Sequence, residues 1–376
     1  MSQFDLTDEQ RQIQEMAQQF TAGAITPHAA EWDEKHIFPR DTIRAAAELG
    51  FGSIYVSEEA GGIGLGRLEA ALIMEAMAYG CPSTSAFISI HNMASWMIDR
   101  FGADAVKQKY LPRMVTMERI GSYCLTEPGS GSDAAALKTK AVKDGGDYLV
   151  SGSKAFISGG GENEIYVTMA RTGVEGPKGI SCLVIEKDMP GVSFGAQEKK
   201  LGWHSQPTCQ VNLDEVRVPA ENLVGGEGDG FRIAMMGLDG GRLNIGACSL
   251  GGAQRCLDEA LRYTKERKAF GQTVFDFQNT RFTLGALKAK MQAGWAHLDW
   301  CIARHLEEKL TAAEASAAKL FHTELQWEVC DAGLQLHGGA GYMNEYPIAR
   351  LWRDARVQRI YGGTSEIMKE VVARTL

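Results

Sequence analysis

The sequence predicts an α+β protein in which two helical regions flank a region of short β-strands. From residue 1 to about 120, apolar residues recur at three- and four-residue spacing, which is typical of packed helices. From 121 to 228, short β-type runs alternate with Gly, Pro and Asp, and from 229 to 376 long helical patterns return. These changes predict an N-terminal helical domain (1–120), a middle β-barrel or β-sandwich (121–228) and a C-terminal four-helix bundle (229–376).

The N-terminal region contains signals for several helices. Thr7 or Asp8 can cap the first helix. Acidic residues in its first turn stabilise it, because the N-terminal end of the helix dipole is positive. Further helices are predicted over 41–49, 68–79 and 90–101. The last two are apolar enough that we expect them to be buried.

The middle and C-terminal regions differ in the length of their predicted elements. Five short strands are predicted, at 148–150, 155–157, 165–169, 180–185 and 209–213. Long helices are predicted over 253–268, 278–310 and 311–336. Thr311 and Glu314 have capping-box spacing, which supports a helix start at that point. A further helix is predicted to open within 238–242.

Composition and charge argue against several classes of function. A net charge of −8 argues against general affinity for nucleic acid or an anionic membrane, and no apolar run approaches the ~20 residues of a membrane span. The eight cysteines form no C-x-x-C pair and the eight histidines lack ligand spacing, which indicates reduced thiols and no metal site. The glycine-rich run 61–66 lacks G-x-G-x-x-G spacing, so a Rossmann fold is not expected.

The acidic N-terminus, residues 1–9, has the features of neither a signal peptide nor a transit peptide. The expected location is therefore the bacterial cytoplasm, or the mitochondrial matrix if the chain is a processed eukaryotic protein.

Three polar motifs are candidates for ligand binding, although each has an ordinary alternative. The Gly- and Ser-rich run 126–133 offers N–H groups and hydroxyls to a polar ring edge or a pyrophosphate, or else is a solvent loop. Arg267 beside a Gly-Phe turn can bind a pyrophosphate by charge-assisted hydrogen bonds. The alternative is that Arg267 lies at the solvent-exposed end of a helix. Asp239 and Arg242 share one helix face, where they contact a ligand or form a surface ion pair.

Three segments far apart in the sequence resemble the acyl-CoA dehydrogenase flavoprotein family. They are 123–133 (YCLTEPGSGSD), 335–339 (QLHGG) and 360–367 (IYGGTSEI). The resemblance covers essentially the whole chain and looks closest to the short- and branched-chain branch, which acts on isobutyryl-CoA. The run 360–364 is the exception, because it looks more like the long-chain branch.

The resemblance implies FAD as the cofactor and implies which residues bind it. In the family, Arg267 and Gln278 reach the ADP half of FAD across a subunit boundary, which implies a homotetramer. The implied cofactor-binding residues are Tyr123, Cys124, Leu125, Thr126, Gly131, Ser132, Phe156, Ile157, Ser158, Arg267, Gln278, Gln335, Leu336, His337, Gly338, Gly339, Thr364, Ser365 and Glu366.

The resemblance also implies an acyl-CoA substrate and electron-transfer flavoprotein as the electron acceptor. The implied substrate-binding residues are Ser132, Asp133, Leu238, Asp239, Gly240, Gly241, Arg242, Gly363 and Arg374. The backbone N–H at position 362 would hold the thioester oxygen. The implied reaction is α,β-dehydrogenation, in which a carboxylate removes the α-proton and a hydride leaves the β-carbon.

The chain departs from the family at the catalytic base. Most of the family has a catalytic Glu where this chain has Gly362, and a minority has it where this chain has Gly241. Four hypotheses follow. Another carboxylate, such as Asp239 or Glu366, acts as the base; the glycine disables a normal dehydrogenase; the chain is a flavin oxidase or monooxygenase of the same fold; or it binds acyl-CoA and has lost turnover.

Overall fold

The computed structural model describes residues 5–376. Residues 1–4, which belong to the segment where no signal peptide is expected, lie outside the described residues. The N-terminal region forms six helices: α1 (Asp8–Phe20), α2 (Ala29–Glu34), α3 (Arg40–Glu48), α4 (Arg67–Gly80), α5 (Pro82–Phe101) and α6 (Asp104–Val115). Thr7 caps α1, since its hydroxyl accepts a hydrogen bond from the Gln10 N–H at 3.2 Å and the Gln10 side chain accepts one from the Thr7 N–H.

The buried pair of N-terminal helices is confirmed, but α5 is longer than predicted. It begins at Pro82, eight residues before the expected start at 90. Proline suits the first turn of a helix because its fixed φ is helical and its missing N–H has no intrahelical partner there. Ser and Thr residues in this first turn hid the helical pattern, although they are buried in the structure.

The middle region forms one sheet of eight strands. They are β1 (Gly121–Cys124), β2 (Lys140–Asp144), β3 (Asp147–Ser158), β4 (Ile165–Arg171), β5 (Ile180–Glu186), β6 (Val192–Phe194), β7 (Thr208–Pro219) and β8 (Leu223–Val224). The order is β6-β7-β3-β2-β4-β5-β8, and β1 pairs with β4 in parallel. Hydrogen bonds hold the end of β1 and the loop after it beside the end of β3.

The two strands predicted at 148–150 and 155–157 are one strand, β3. Its pairing with β7 shifts register twice, at Val150/Gly152 and at Lys154/Ile157, so the alternation of apolar residues is interrupted while the strand continues. Gly152 is needed at the first shift, because a Cβ there would lie 2.4 Å from the Thr139 hydroxyl.

The C-terminal region is dominated by three long helices. Its elements are α7 (Gly230–Glu266), the hairpin β9 (Lys268–Ala269) and β10 (Gln272–Thr273), α8 (Gln278–Leu306), α9 (Ala312–Leu336), α10 (Pro347–Gln358) and α11 (Ser365–Ala373). The predicted helix start within 238–242 is wrong, since this run lies in the interior of α7. At Gly240 the Arg67 head group occupies the space that a side chain would fill.

The main hydrophobic core lies where α4, α7, α8 and α9 pack together, and separate clusters fill the space between α5 and the sheet and the inside of the sheet. All eight cysteines are buried as free thiols. Within residues 5–376, no helix combines the length and apolar character needed to cross a membrane. The same part of the chain contains no His, Cys, Asp or Glu group arranged to hold a metal ion.

Candidate active site

A buried ion pair shapes the loop that follows β1. The Lys154 ammonium lies 2.8 Å from Glu127 Oε1 and donates to the Leu125 carbonyl at 3.1 Å. Glu127 also accepts hydrogen bonds from the N–H groups of Lys138 and Thr139. Burial raises the pKa of Glu127, but the Lys154 charge and these hydrogen bonds outweigh burial and hold the pKa below its usual value. This pair, which sequence analysis missed, fixes the loop against β3.

The loop and the end of β3 form a ledge for a planar ring. The Ala155 N–H donates to the Thr126 carbonyl at 2.8 Å, and the Ser122 hydroxyl donates to the Ser158 carbonyl at 2.8 Å. Phe156 lies between them with φ +57° and is 67% exposed. A bulky residue held in the left-handed region with its ring in solvent is costly, and such strain concentrates at ligand sites.

Several predicted cofactor residues of the loop region cannot present their side chains to a ligand. Cys124, Leu125 and Ile157 are buried in the hydrophobic clusters, so only their backbone groups remain available. Gly131 and Ser132 are exposed at the far end of the same loop. Fewer side chains of this region are therefore available to contact a cofactor than the sequence motif predicted.

The α7 face beside this ledge carries a half-buried ion pair. Arg242 Nη1 lies 2.6 Å from Asp239 Oδ1, and the Arg242 side chain is 8% exposed, so the surface-ion-pair alternative does not apply. Burial raises the pKa of Asp239. Arg242 Nε and the Tyr123 hydroxyl are both buried without a hydrogen-bond partner among the described residues. Two orphaned polar groups of this kind mark a place where a polar ligand fits.

The two positions at which the family carries its base meet at one place. Gly362, in the loop between α10 and α11, lies against Ile245 of α7, because a Cβ at 362 would be 2.6 Å from Ile245 Cδ1. Gly241 lies four residues before Ile245, one turn away on the same helix face. A Cβ at Gly241 would contact only the Met93 sulfur, at 3.6 Å. The fold therefore brings together two glycines that are 121 residues apart.

A buried lysine holds the loop that contains Gly362. Lys319 of α9 is fully buried and donates from Nζ to the Gly363 carbonyl at 2.7 Å. Burial lowers the pKa of Lys319 to about 7, and the positive charge of Arg242 acts in the same direction. Sequence analysis missed this residue, although a lone Lys within an apolar stretch of a helix was the available signal.

Neither carboxylate suggested as an alternative base is free. Asp239 is bonded to Arg242, and it lies two residues from Gly241, so the two project about 200° apart around α7. Glu366 is exposed in the first turn of α11, where hydrogen bonds from its own N–H and from Thr364 lower its pKa. Both are committed to other partners, which weakens the hypothesis of a substitute carboxylate.

The residues predicted to bind the ADP half of FAD form a separate exposed cluster at the other end of the bundle. Arg267, Gln278 and the ends of the 335–339 run are exposed there. Arg267 is 25 residues beyond Arg242 along α7, roughly 37 Å at 1.5 Å per residue. A single chain therefore does not bring the two halves of the predicted cofactor site together.

His337 lies at the C-terminal end of α9, where its ring has partners within the chain. Its Nδ1 is 2.7 Å from the Gly333 carbonyl, and its ring stacks on Tyr263 with the centroids 4.3 Å apart. Burial lowers its pKa. The adjacent Gly338 and Gly339 have no atom within 4 Å of a hypothetical Cβ, so a ligand can approach their backbone closely.

The remaining predicted residues lie on α11. The Thr364 hydroxyl caps this helix by accepting from the Ile367 N–H, and the Ser365 hydroxyl donates to Glu324 at 2.6 Å. Arg374, at the other end of the helix, is 72% exposed and pairs with Glu370 at 2.9 Å. Hydrogen bonds already engage the N–H groups of Ser365, Glu366 and Ile367 at the start of α11. Arg374 lies at the end of α11 that is away from Gly362.

All three regions of the chain match models of one family: "Acyl-CoA dehydrogenase, N-terminal domain" at residues 7–118, "middle domain" at 122–216 and "C-terminal domain" at 228–376. The chain belongs to the acyl-CoA dehydrogenase family. This family consists of FAD-dependent flavoprotein oxidoreductases that act on acyl-CoA thioesters. The predicted fold, the FAD cofactor and the acyl-CoA dehydrogenase activity are confirmed at this level.

Individual relatives are similar over nearly their whole length. The chain is 51% identical to a mitochondrial isobutyryl-CoA dehydrogenase of Dictyostelium discoideum, over 99% of this chain and 90% of that protein. It is 48% identical to the mitochondrial isobutyryl-CoA dehydrogenase of Bos taurus, over 99% and 89%. The structure of butyryl-CoA dehydrogenase from Megasphaera elsdenii matches with a TM-score of 0.95 at 34% identity, covering 99% of each chain.

The residues present fit FAD. The exposed Phe156 ring and the neighbouring Thr126 suit the isoalloxazine, and the open backbone at Gly338 and Gly339 suits the dinucleotide. The orphaned Tyr123 hydroxyl provides a buried polar group beside the same ledge. The assignments of individual residues to parts of FAD stay predictions.

Proposed function

We propose that this protein catalyses α,β-dehydrogenation of a short or branched-chain acyl-CoA and passes the electrons to electron-transfer flavoprotein. Two observations carry the proposal: Gly362 lies against Ile245, one turn of α7 beyond Gly241, and Gly241 lines a small cavity of about 80 Å³. One water molecule needs only about 10–15 Å³ on the same measure, so the cavity has room for a short acyl group. The identity to isobutyryl-CoA dehydrogenases supports the same substrate class.

The chain's own residues divide the work of binding. Asp239 and Arg242 receive the pantetheine, because their half-buried pair leaves Arg242 Nε free for a polar partner. The N–H of Gly362 polarises the thioester carbonyl, and Lys319 holds that loop in place through Gly363. FAD, when bound at the Phe156 ledge, supplies the chemistry of hydride acceptance from the β-carbon.

A second copy of the chain completes the cofactor site in this proposal. Arg267, Gln278 and 335–339 lie too far from the Phe156 ledge within one chain to share one cofactor. Large exposed apolar side chains surround this exposed cluster, including Phe270 at 97% and Tyr342 at 83%. Burial of such residues between subunits is favourable, and we propose a homotetramer.

The proposed cellular location follows the predicted one. The isobutyryl-CoA dehydrogenases of Dictyostelium discoideum and Bos taurus are described as mitochondrial. We place this chain in the bacterial cytoplasm, or in the mitochondrial matrix if its source is eukaryotic, and its pathway in fatty acid or branched-chain amino acid breakdown. Fractionation of the source cells, followed by detection of the protein, tests this assignment.

The glycines at 241 and 362 favour a second candidate function, an acyl-CoA-binding flavoprotein with little turnover. A positioned general base typically contributes ~10²–10⁴-fold to proton abstraction, and neither glycine supplies one. The oxidase or monooxygenase hypothesis requires the reduced flavin to react with oxygen, and oxygen consumption measures this directly.

An anaerobic experiment separates these functions. The FAD-loaded protein is mixed with isobutyryl-CoA or with butyryl-CoA, and the absorbance of oxidised flavin is followed while calorimetry measures binding. Bleaching within seconds supports the dehydrogenase and requires a base that is not at 241 or 362. Binding without bleaching supports the second candidate. Absence of both binding and bleaching contradicts both functions.

A further inference from the structure

The cavity beside Gly241 ends in a charged cluster that no part of the proposed mechanism uses. The cluster consists of Tyr55, Arg67 and Asn244. Arg67 Nη1 donates to Asn244 Oδ1 at 3.0 Å and to the Tyr55 hydroxyl, and that hydroxyl donates to Asn244 Oδ1 at 2.8 Å. Asn244 in turn donates to the Ser89 hydroxyl at 3.0 Å. These bonds link the loop before α4 with α4, α5 and α7.

The cluster holds a guanidinium in a fixed position. Arg67 also lies over the Tyr55 ring, with its Cζ 4.3 Å from the ring centroid. Its hydrogen-bond partners are neutral oxygens, and its Nε is buried without a partner among residues 5–376. The carboxylate of Glu69 on the same helix is engaged by Gln10 and by the Gly66 N–H. The positive charge of Arg67 is therefore presented to the cavity.

Gly240 makes room for this guanidinium. A Cβ at Gly240 would lie 2.4 Å from Arg67 Nη2, so the Arg67 head group occupies the space that a side chain there would fill. Gly241, the next residue along α7, faces open space apart from Met93. The Cα atoms of Gly240 and Gly241 are about 3.8 Å apart, as in any trans peptide. The Arg67 guanidinium therefore lies only a few ångströms from Gly241, beside which we place the reacting carbons.

The rest of the cavity is largely apolar. Met93 and Trp96 of α5 line one wall and Met236 of α7 lines another. His305 also borders the cavity, and burial lowers its pKa to about 4, with the charge of Arg67 acting in the same direction. His305 is therefore neutral near pH 7, and Arg67 is the charged group at this end. A larger cavity of about 290 Å³, beside β2 and the end of β4, contains none of the predicted site residues.

We propose that Arg67, held by Tyr55 and Asn244, is the floor of the acyl pocket and restricts the substrate to short acyl groups. This inference rests on the proposed function, because it takes the acyl group to lie beside Gly241. An acyl chain of three or four carbons ends before the guanidinium. A longer apolar chain displaces the cluster or desolvates the Arg67 guanidinium, which has no carboxylate partner within the cluster.

Calorimetric titration of the FAD-loaded protein with acyl-CoA thioesters tests the floor, and it requires no turnover. The unaltered protein is expected to bind isobutyryl-CoA at least about tenfold more tightly than octanoyl-CoA, within the range by which pockets discriminate size. In Arg67→Met, which removes the charge and keeps an extended side chain, the ratio of the two dissociation constants falls at least about tenfold. Arg67→Lys, the matched control, keeps most of the discrimination.

Other outcomes overturn the inference, and they separate it from the proposed function. If octanoyl-CoA binds the unaltered protein as tightly as isobutyryl-CoA, or if Arg67→Met leaves their ratio unchanged, the floor is elsewhere while the function stands. If glutaryl-CoA binds more tightly than isobutyryl-CoA and loses that advantage in Arg67→Met, Arg67 is a carboxylate-binding group instead. If no thioester binds, the proposed function fails and this inference fails with it.

A second variant keeps the test open if Arg67→Met does not fold. Tyr55→Phe removes only the hydroxyl that receives one hydrogen bond from Arg67 and leaves the ring beneath the guanidinium. A fall in the ratio of the two dissociation constants that is smaller than in Arg67→Met supports the role of Arg67 as the floor of the acyl pocket. An unchanged ratio in a variant with normal FAD content and thermal midpoint contradicts it.

Discussion

Gly241 and Gly362 both lie near Ile245 of α7, yet their backbones differ in the side chains that they tolerate. Gly241 lies inside α7, where L-residues other than proline adopt the required conformation, and a Cβ there meets an ordinary contact with Met93. Gly362 lies in a loop with φ +65°, and a Cβ there crowds Ile245. A Glu at 241 therefore fits the helix without backbone strain, whereas a Glu at 362 strains the backbone of the loop.

The largest expected effect comes from supplying the base. Gly362→Glu is expected to raise the rate of anaerobic flavin reduction by isobutyryl-CoA about 10²–10⁴-fold, because it places a carboxylate at the family's usual position. The terminal methyl of Ile245 is the atom that must move, and such a shift is small. Stopped-flow absorbance of oxidised flavin measures the rate.

Gly241→Glu sharpens the comparison, since the same carboxylate approaches the cavity from α7. We expect it to accelerate flavin reduction over the same range with no loss of stability. Gly362→Gln and Gly241→Gln are the matched controls, as they fill the same space without a base. An equal acceleration by the Gln variants would show that filling the cavity, rather than proton removal, matters.

The next effect concerns the support of the 362 loop. Lys319→Met removes the donor to the Gly363 carbonyl, and an unsatisfied buried acceptor costs roughly 1–3 kcal/mol. The free energy of unfolding should fall by that amount at pH 8. The loss of loop order should also slow flavin reduction in a Gly362→Glu background more than in a Gly241→Glu background. Equal slowing in both backgrounds contradicts a specific role for Lys319 at the loop.

The stability deficit of Lys319→Met should depend on pH. The pKa of Lys319 is about 7 in the folded protein and lies near its ordinary value of 10.5 when unfolded, so between these values the unfolded state binds more protons. The unaltered protein therefore gains stability relative to Lys319→Met as pH rises from 7 towards 10. Denaturant titrations of both proteins at pH 6.5, 8 and 9 measure this difference, and a deficit that shrinks with pH contradicts the assignment.

The smallest effects isolate the backbone alone. Gly241→Ala should stabilise the protein by roughly 0.5–1 kcal/mol, because alanine loses less conformational freedom in a helix than glycine. Gly362→Ala should destabilise it by roughly 1–2 kcal/mol, because the left-handed conformation places Cβ against the following carbonyl. Thermal or denaturant unfolding of both variants measures the opposite signs. If both variants changed the free energy of unfolding in the same direction, the proposed difference between the backbones at 241 and 362 would be contradicted.

Local signals in the sequence were sufficient for the order of elements and for parts of the site. The cap at Thr7 and the capping box at Thr311 form as predicted because each involves residues three positions apart. Phe156 and Thr126 are neighbours, as the flavin motif implied. By contrast, the continuity of β3 through Gly152 depends on Thr139, and no local pattern reports that contact.

The sequence by itself determined the helical–β–helical order and the family, because these depend on short-range periodicity and on motifs that are contiguous in the chain. Only the tertiary structure decided that Gly362 lies against α7 one turn from Gly241, that Lys319 holds Gly363 and that Arg67 fills the space beside Gly240. Each of these joins residues more than forty positions apart. Such contacts follow from how buried helices pack against one another, and residue spacing along the chain does not encode them.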